Sequence, residues 1–185
     1  MDISEAQQQL RGMQRMSTEI SSTILVSLGA LEEIVSDVRS FGHDKERGGI
    51  LLGKRRGPHL EVTEATRPMR WDSSTMFSFC RSANGHSEIA IKRWKQSSNI
   101  VDWIGEWHSH PENDPTPSSI DVRSWNEITE QRTAPMVFLI VGWKSCWIGL
   151  CVPHERTPIT YREVERSADG IAFQVRNRAV QDSSI

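Results

Sequence analysis

The chain has 185 residues, 37% of them hydrophobic and 25% charged, with a formal net charge of −2. That length and composition suit one globular domain with a real core. The charge gives no basic stripe for nucleic acid, and no apolar run approaches the roughly 20 residues that a membrane helix needs. The opening MDISEAQQQLRG has no apolar stretch of the secretory kind, and Cys80, Cys146 and Cys151 show no useful spacing. Reduced, buried, structural thiols in a cytoplasmic protein are therefore expected.

Residues 1–19 are rich in Gln and Ser with weak periodicity and read as a flexible or loosely docked arm; a partner-binding helix through Leu10, Met13 and Met16 is the alternative. The expected folded domain covers residues 20–178, with 179–185 as a tail. Thr23–Val26 is a short strand-like run, and Ser27 can cap the helix that follows. In that helix Leu28, Leu31, Val35 and Val38 recur at helical spacing, which puts Glu32, Glu33, Asp37 and Arg39 on other faces. Gly42 is its expected stop. Gly49–Gly53 reads as a buried strand, Lys54–Pro58 as a hairpin turn, and the alternation of Leu60 and Val62 with Glu61 and Thr63 as the return strand.

Residues 68–83 lack a clean period and predict a loop with one strand. A short helix is expected over Ser87–Ser97, with Ile89, Ile91 and Trp94, and a strand over Ile100–His110. Pro115–Ser118 is a helix-entry loop, after which Ile120, Val122, Trp125 and Ile128 fit a helix. Met136–Val141 and Cys146–Val152 are strongly apolar strands joined at Gly142–Ser145. Ile159–Val164 and Ile171–Val175 form a last pair around Asp169-Gly170. This order predicts an α/β sandwich around a mixed sheet, without internal repeats.

The chemistry concentrates in Gly105-Glu106-Trp107-His108-Ser109-His110-Pro111 and the following Ser118 and Asp121. On a strand, His108 and His110 at i, i+2 point to the same face, whereas Trp107 points to the other. Asp121 falls at the start of the next helix, where Ser118 can act as cap. Two imidazoles and one carboxylate suit Zn²⁺, one per chain, and leave the fourth tetrahedral position for a water. A metallohydrolase also needs a carboxylate to shuttle a proton. Glu106, on the histidine face, and Glu46, before the double glycine Gly48-Gly49, are near-equal candidates from the residues alone. His43, His59, His86 and His154 are scattered without ligand spacing, so no second zinc site is expected. The seven tryptophans read mostly as packing residues, and Lys54-Arg55-Arg56 as a solvated turn.

The pattern His-x-His-Pro-x6-Ser-x2-Asp resembles the signature of the JAB/MPN, or JAMM, zinc metallopeptidases. Glu46-Arg47-Gly48-Gly49-Ile50-Leu51-Leu52-Gly53 is similar to that family's Glu-x-Gly-Gly-x-Leu-x-Gly block, whose glutamate is the general base. The resemblance covers residues 24–152. It implies a cytidine-deaminase-like α/β sandwich around a mixed, curved sheet, zinc on His108, His110 and Asp121, Glu46 as base, and Ser118 as the oxyanion-stabilising serine. Within the family, Gly-Glu-Trp-His-Ser-His-Pro-Glu with Trp125 looks most like small bacterial JAB proteins. These include the deconjugating peptidases of CBASS anti-phage operons, encoded beside a cGAS-like nucleotidyltransferase.

The implied substrate is a protein whose C-terminus is joined to a target lysine, either the nucleotidyltransferase or a ubiquitin-like protein, with neither nucleic acid nor membrane as partner. The short stretch between Asp121 and Pro135 implies an open site, with the receiving groove beside the histidine strand and residues 68–86. A non-catalytic MPN scaffold and a JAB peptidase processing sulfur-carrier proteins are the alternatives. A zinc amidohydrolase barrel also uses His-x-His, but the chain is too short for it.

Overall fold

The computed structural model describes residues 22–41, 45–76 and 78–175; the expectations for residues 1–19, His43, Gly42 and the 179–185 tail lie outside them. Strand β1 (Thr23–Ser27) runs straight into helix α1 (Leu28–Phe41). There the Ser27 hydroxyl accepts the Ala30 N–H at 3.2 Å, satisfying one of the donors that every helix start leaves open. Helix α1 buries Ala30, Ile34, Asp37 and Val38. This corrects the expected stripe. Positions 30, 34, 37 and 38 are also neighbours on one helical face, and Asp37 is tolerated there because the Arg47 guanidinium grips both its oxygens. Leu28, Leu31 and Val35 instead line a groove of about 970 Å³ opposite Trp143, Trp147 and Tyr161, and none of the expected site residues borders it.

The remaining elements are β2 (Gly48–Arg56), β3 (His59–Ala65), the short β4 (Ser73–Ser74) and β5 (Phe79–Cys80), α2 (His86–Gln96), β6 (Asp102–Ser109), α3 (Ser119–Glu130), β7 (Met136–Val141), β8 (Cys146–Cys151), β9 (Ile159–Arg166) and β10 (Gly170–Gln174). The large sheet has the order β1-β10-β9-β8-β7-β6-β2-β3. It is mixed: β1 with β3 and β6 with β7 are parallel, and the other neighbours are antiparallel. The pairing of β3 with β1 curls it until it closes into a barrel.

Alternation along the strands divides the core. Val137, Leu139 and Val141 of β7 join Ile34 and Val38 of α1 in the main cluster. Met136, Phe138 and Ile140, on the other face, pack with Trp125 of α3, while Ile50 and Leu52 pack with Ile89 and Ala90 of α2. A strand covered on both faces must be apolar at every position, and β7 is fully buried throughout. Thus α1 lies against one face of the sheet, and α2 and α3 against the other.

Several local expectations change. Lys54, Arg55 and Arg56 are not a turn but the end of β2, paired with Glu61, Leu60 and His59; their alternating ion pairs with Glu61 favour the ladder over a loop. The stretch expected to hold one strand holds two, β4 and β5, paired as a small hairpin. Ile91 and Trp94 of α2 are exposed, because only Ile89 and Ala90 reach the sheet. Cys151 is buried, whereas Cys80 and Cys146 are exposed, all three as free thiols. No described helix is long and apolar enough to cross a membrane.

Candidate metal centre

Strand β6 sits between β2 and β7, and Gly48 of β2 pairs with His108. Central position and two flanking ladders fix the strand end that carries both histidines. His108 and His110 are buried, and the His110 N–H is held by the Val141 carbonyl at 3.0 Å. Trp107 points the other way into the main core, where its indole N–H donates to the Thr66 carbonyl at 2.9 Å.

Asp121 arrives from the other side on the first turn of α3. Ser118 is the N-cap: its hydroxyl accepts the Asp121 N–H at 3.2 Å, and the Asp121 carboxylate accepts the Ser118 N–H at 2.7 Å, a reciprocal capping box. The cap presets the carboxylate rotamer, and the positive end of the helix favours its charge.

Between these elements the two Nε2 atoms lie 3.1 Å apart, and Asp121 oxygens lie 3.4 Å from each of them. An ion bound tetrahedrally at about 2.0–2.1 Å places neighbouring ligand atoms about 3.3 Å apart. The triangle of two imidazoles and the Asp121 carboxylate, with Oδ1 towards His108 and Oδ2 towards His110, has spacings close to those of neighbouring ligands on such an ion.

Glu46 lies beside this triangle, buried, with its carboxylate 3.7 Å from His110 Nε2. It forms with the two histidines a cluster able to hold a metal ion, all three within 4.8 Å of one another. Glu46 and Asp121 thus compete geometrically for the third ligand position. Asp121 comes within 3.4 Å of each nitrogen, one oxygen to each, and Glu46 within 3.7 Å of His110 Nε2. Glu106 faces elsewhere: its carboxylate accepts from the Arg81 guanidinium at 2.6 Å.

The electrostatics separate the two acids of the cluster. Burial pushes the Glu46 carboxyl up to about 7, with the charges of Asp121 and Glu112 adding and His110 opposing. Burial also works to raise Asp121, but hydrogen bonds from His108, His110 and Ser118 outweigh it and hold that carboxyl well below the usual range. Burial disfavours the His110 cation, yet the Asp121 hydrogen bond and the Glu46 charge leave its pKa raised. Neighbouring acids driven in opposite directions are the pattern of a reactive site.

The approach of β2 to the cluster depends on its glycines. A Cβ on Gly48 would lie 2.5 Å from the Phe79 ring, and one on Gly49 would lie 2.2 Å from the Thr66 carbonyl oxygen. The double glycine after Glu46 therefore lets the segment pass under its cover. Arg47, not singled out from the sequence, locks the same segment: its N–H donates to the Ser109 hydroxyl at 3.0 Å and its carbonyl accepts the Ser109 N–H at 2.7 Å. A second helical stripe through residue 37 was the available sign of its pairing with Asp37.

Fold and geometry together define a candidate metal centre set on a curved, mixed sheet. Residues 29–160 match the family described as prokaryotic homologs of the JAB domain, and the chain belongs to that family. It is 37% identical over 126 residues to a Pseudomonas aeruginosa protein named CD-NTase/cGAS isopeptidase, covering 67% of this chain and 80% of that one. A Vibrio cholerae protein of the same name is 32% identical over 149 residues, covering 78% and 92%. The solution structure of protein DSY2949 from Desulfitobacterium hafniense superposes with a TM-score of 0.52 at 23% identity, covering 70% of this chain and 84% of that one, a likeness of fold.

Proposed function

We propose that the chain is a cytoplasmic, zinc-dependent isopeptidase that frees a protein C-terminus from the lysine to which it has been conjugated. The substrate we assign is a conjugated CD-NTase, a cGAS-like nucleotidyltransferase, which makes the reaction the reversal of a step in anti-phage (CBASS) defence. The observation that carries the chemistry is the ligand triangle of His108, His110 and Asp121 with Glu46 beside it. The substrate assignment is supported by relatives named CD-NTase/cGAS isopeptidase, matched over most of their length.

When bound, zinc acidifies a water and polarises a carbonyl. The chain supplies the rest. Glu46, placed where its proton affinity lies near neutrality, takes a proton from the attacking water and gives it to the departing lysine amine. Ser118 uses its hydroxyl oxygen to cap α3, so its hydroxyl hydrogen is available to the developing oxyanion. Asp121 and the two histidines are held by the cap and the sheet, so little reorganisation accompanies reaction. The exposure of Ser118 leaves this side of the site open to an extended chain, which would lie beside β6 and the 68–86 segment.

The test uses a nucleotidyltransferase conjugate made by the conjugation enzyme of the same operon. Release of the free C-terminus, stopped by a chelator and by Glu46→Ala, is the expected result. Tight binding of the conjugate without cleavage by the zinc-loaded wild type would replace this reading with a scaffold.

A further inference from the structure

A buried polar chain outside the metal centre runs from the sheet to Glu46. Thr66, at the end of β3, accepts the Ile50 N–H on its hydroxyl oxygen at 2.9 Å. That hydroxyl lies 2.8 Å from His86 Nδ1, and His86 Nε2 lies 3.0 Å from Asp72. His86 has no exposed surface and the Asp72 side chain almost none. The Asp72 carboxylate can only accept, so Nε2 carries a ring hydrogen and donates to it, while Nδ1 shares a hydrogen bond with the Thr66 hydroxyl.

Asp72 then ties the two arms of the 67–85 excursion. One oxygen accepts the Met69 N–H at 2.6 Å, and the other accepts the Ser82 N–H at 2.8 Å. Between those arms is the β4–β5 hairpin, and it grips Glu46 directly. The Glu46 N–H donates to the Thr75 carbonyl at 2.8 Å, and the Ser74 hydroxyl donates to the Glu46 carbonyl. The Phe79 ring lies over Gly48.

We infer that His86 and Asp72 are positioning residues for the reaction: they anchor the β4–β5 hairpin, and the hairpin sets where the Glu46 carboxylate stands. The inference rests on the isopeptidase reading for its kinetic part only. The excursion spans 19 residues without a core of its own, and such a segment is ordered by its polar anchors. Asp72 is the anchor common to both arms, and His86 joins it to the sheet. The hydrogen bonds of His86 and Asp72 go to Thr66, Met69, Ser82 and each other, not to His108, His110, Asp121 or the Glu46 carboxylate, so their effect is confined to geometry.

His86→Ala is expected to lower kcat about 10- to 100-fold, the scale of a displacement of order 1 Å at a reacting group, with one metal per chain retained. His86→Gln, whose amide can still donate to Asp72, is expected to recover most of that loss, whereas His86→Asn, which reaches only Thr66, is not. Independently of any substrate, amide hydrogen exchange at Glu46 is expected to speed up at least about tenfold in His86→Ala, while Leu139 in β7 keeps wild-type protection.

Asp72→Asn preserves volume and supplies the same two readouts should His86→Ala fail to fold. Unchanged Glu46 exchange, an effect confined to KM, or a parallel loss of kcat, metal and melting temperature in every variant, the Gln variant included, would each overturn the inference. If the wild type does not cleave the conjugate but the exchange result holds, the anchor stands and the functional reading fails.

Discussion

Glu46 carries two demands that conflict at the scale of one residue. A carboxylate that is 5% exposed and raised to about 7 is suited to proton transfer near neutrality. It is a burden on the fold, because its folded-state pKa lies above its unfolded one. The sign follows: below the unfolded value near 4.5 the group is protonated in both states and costs nothing, and as pH rises through 7 the stability of the protonated form is lost. Metal-free Glu46→Gln should therefore melt higher than metal-free wild type at pH 8, by up to ~2–3 kcal/mol, with the gain absent at pH 4 or below. Thermal melts in chelator at the two pH values check this. Glu46→Ala should abolish turnover while metal content, read by elemental analysis, stays at one per chain.

Ser118→Ala separates two roles of one hydroxyl. Loss of an oxyanion donor costs on the order of 10²–10³ in kcat, and loss of the cap costs ~1 kcal/mol of stability. A stability loss without the rate loss would confine Ser118 to the capping box. The meeting of His108, His110 and Asp121 was legible at this scale because they sit within fourteen residues of one another, on a strand end and the next helix start. Asp37, Thr66, Asp72 and His86 were not, since each acts through a partner on another element.

At the scale of elements, α3 is the part that brings a carboxylate, Asp121, to the pair of histidines. Its cap orients Asp121, and Trp125 one turn further on sets its distance from the sheet. The Trp125 ring stacks on Phe138 at 4.6 Å and Trp147 at 5.4 Å, and lies 5.9 Å from the His108 ring. Trp125→Ala should cost ~3–5 kcal/mol, the range for removing a buried aromatic. It should also weaken metal binding by about 10- to 100-fold, because the supports of both Asp121 and His108 loosen together. Denaturant melts of the metal-free protein and competition with a zinc chelator measure the two effects. Trp125 was read from the sequence as a helix-face residue, but its stacking partners lie on β7 and β8, which only the folded sheet brings to it.

At the scale of the molecule, the centre bridges elements that are far apart in the chain: the β2 entry, the end of β6 and the start of α3. A metal that binds only this assembled arrangement stabilises the folded state by mass action. Chelation should lower the melting temperature of the wild type, and His108→Ala or Asp121→Ala should remove that response. Equal shifts in the wild type and the ligand variants on chelation would place the metal elsewhere.

The sequence by itself determined the element types along most of the chain, the shared face of His108 and His110, the cap on Asp121, and the family. These rest on interactions within a few residues, where strand period, helix period and capping geometry are fixed by the backbone. Tertiary structure decided the rest. The pairing of β1 with β3 closed the sheet, α1 buried the stripe that Arg47 could neutralise, and Glu46 rather than Glu106 came to the histidines because Arg81 holds the latter away. In each case the outcome depends on which distant partner satisfies a buried charge or an open strand edge, and a local pattern carries no record of that partner.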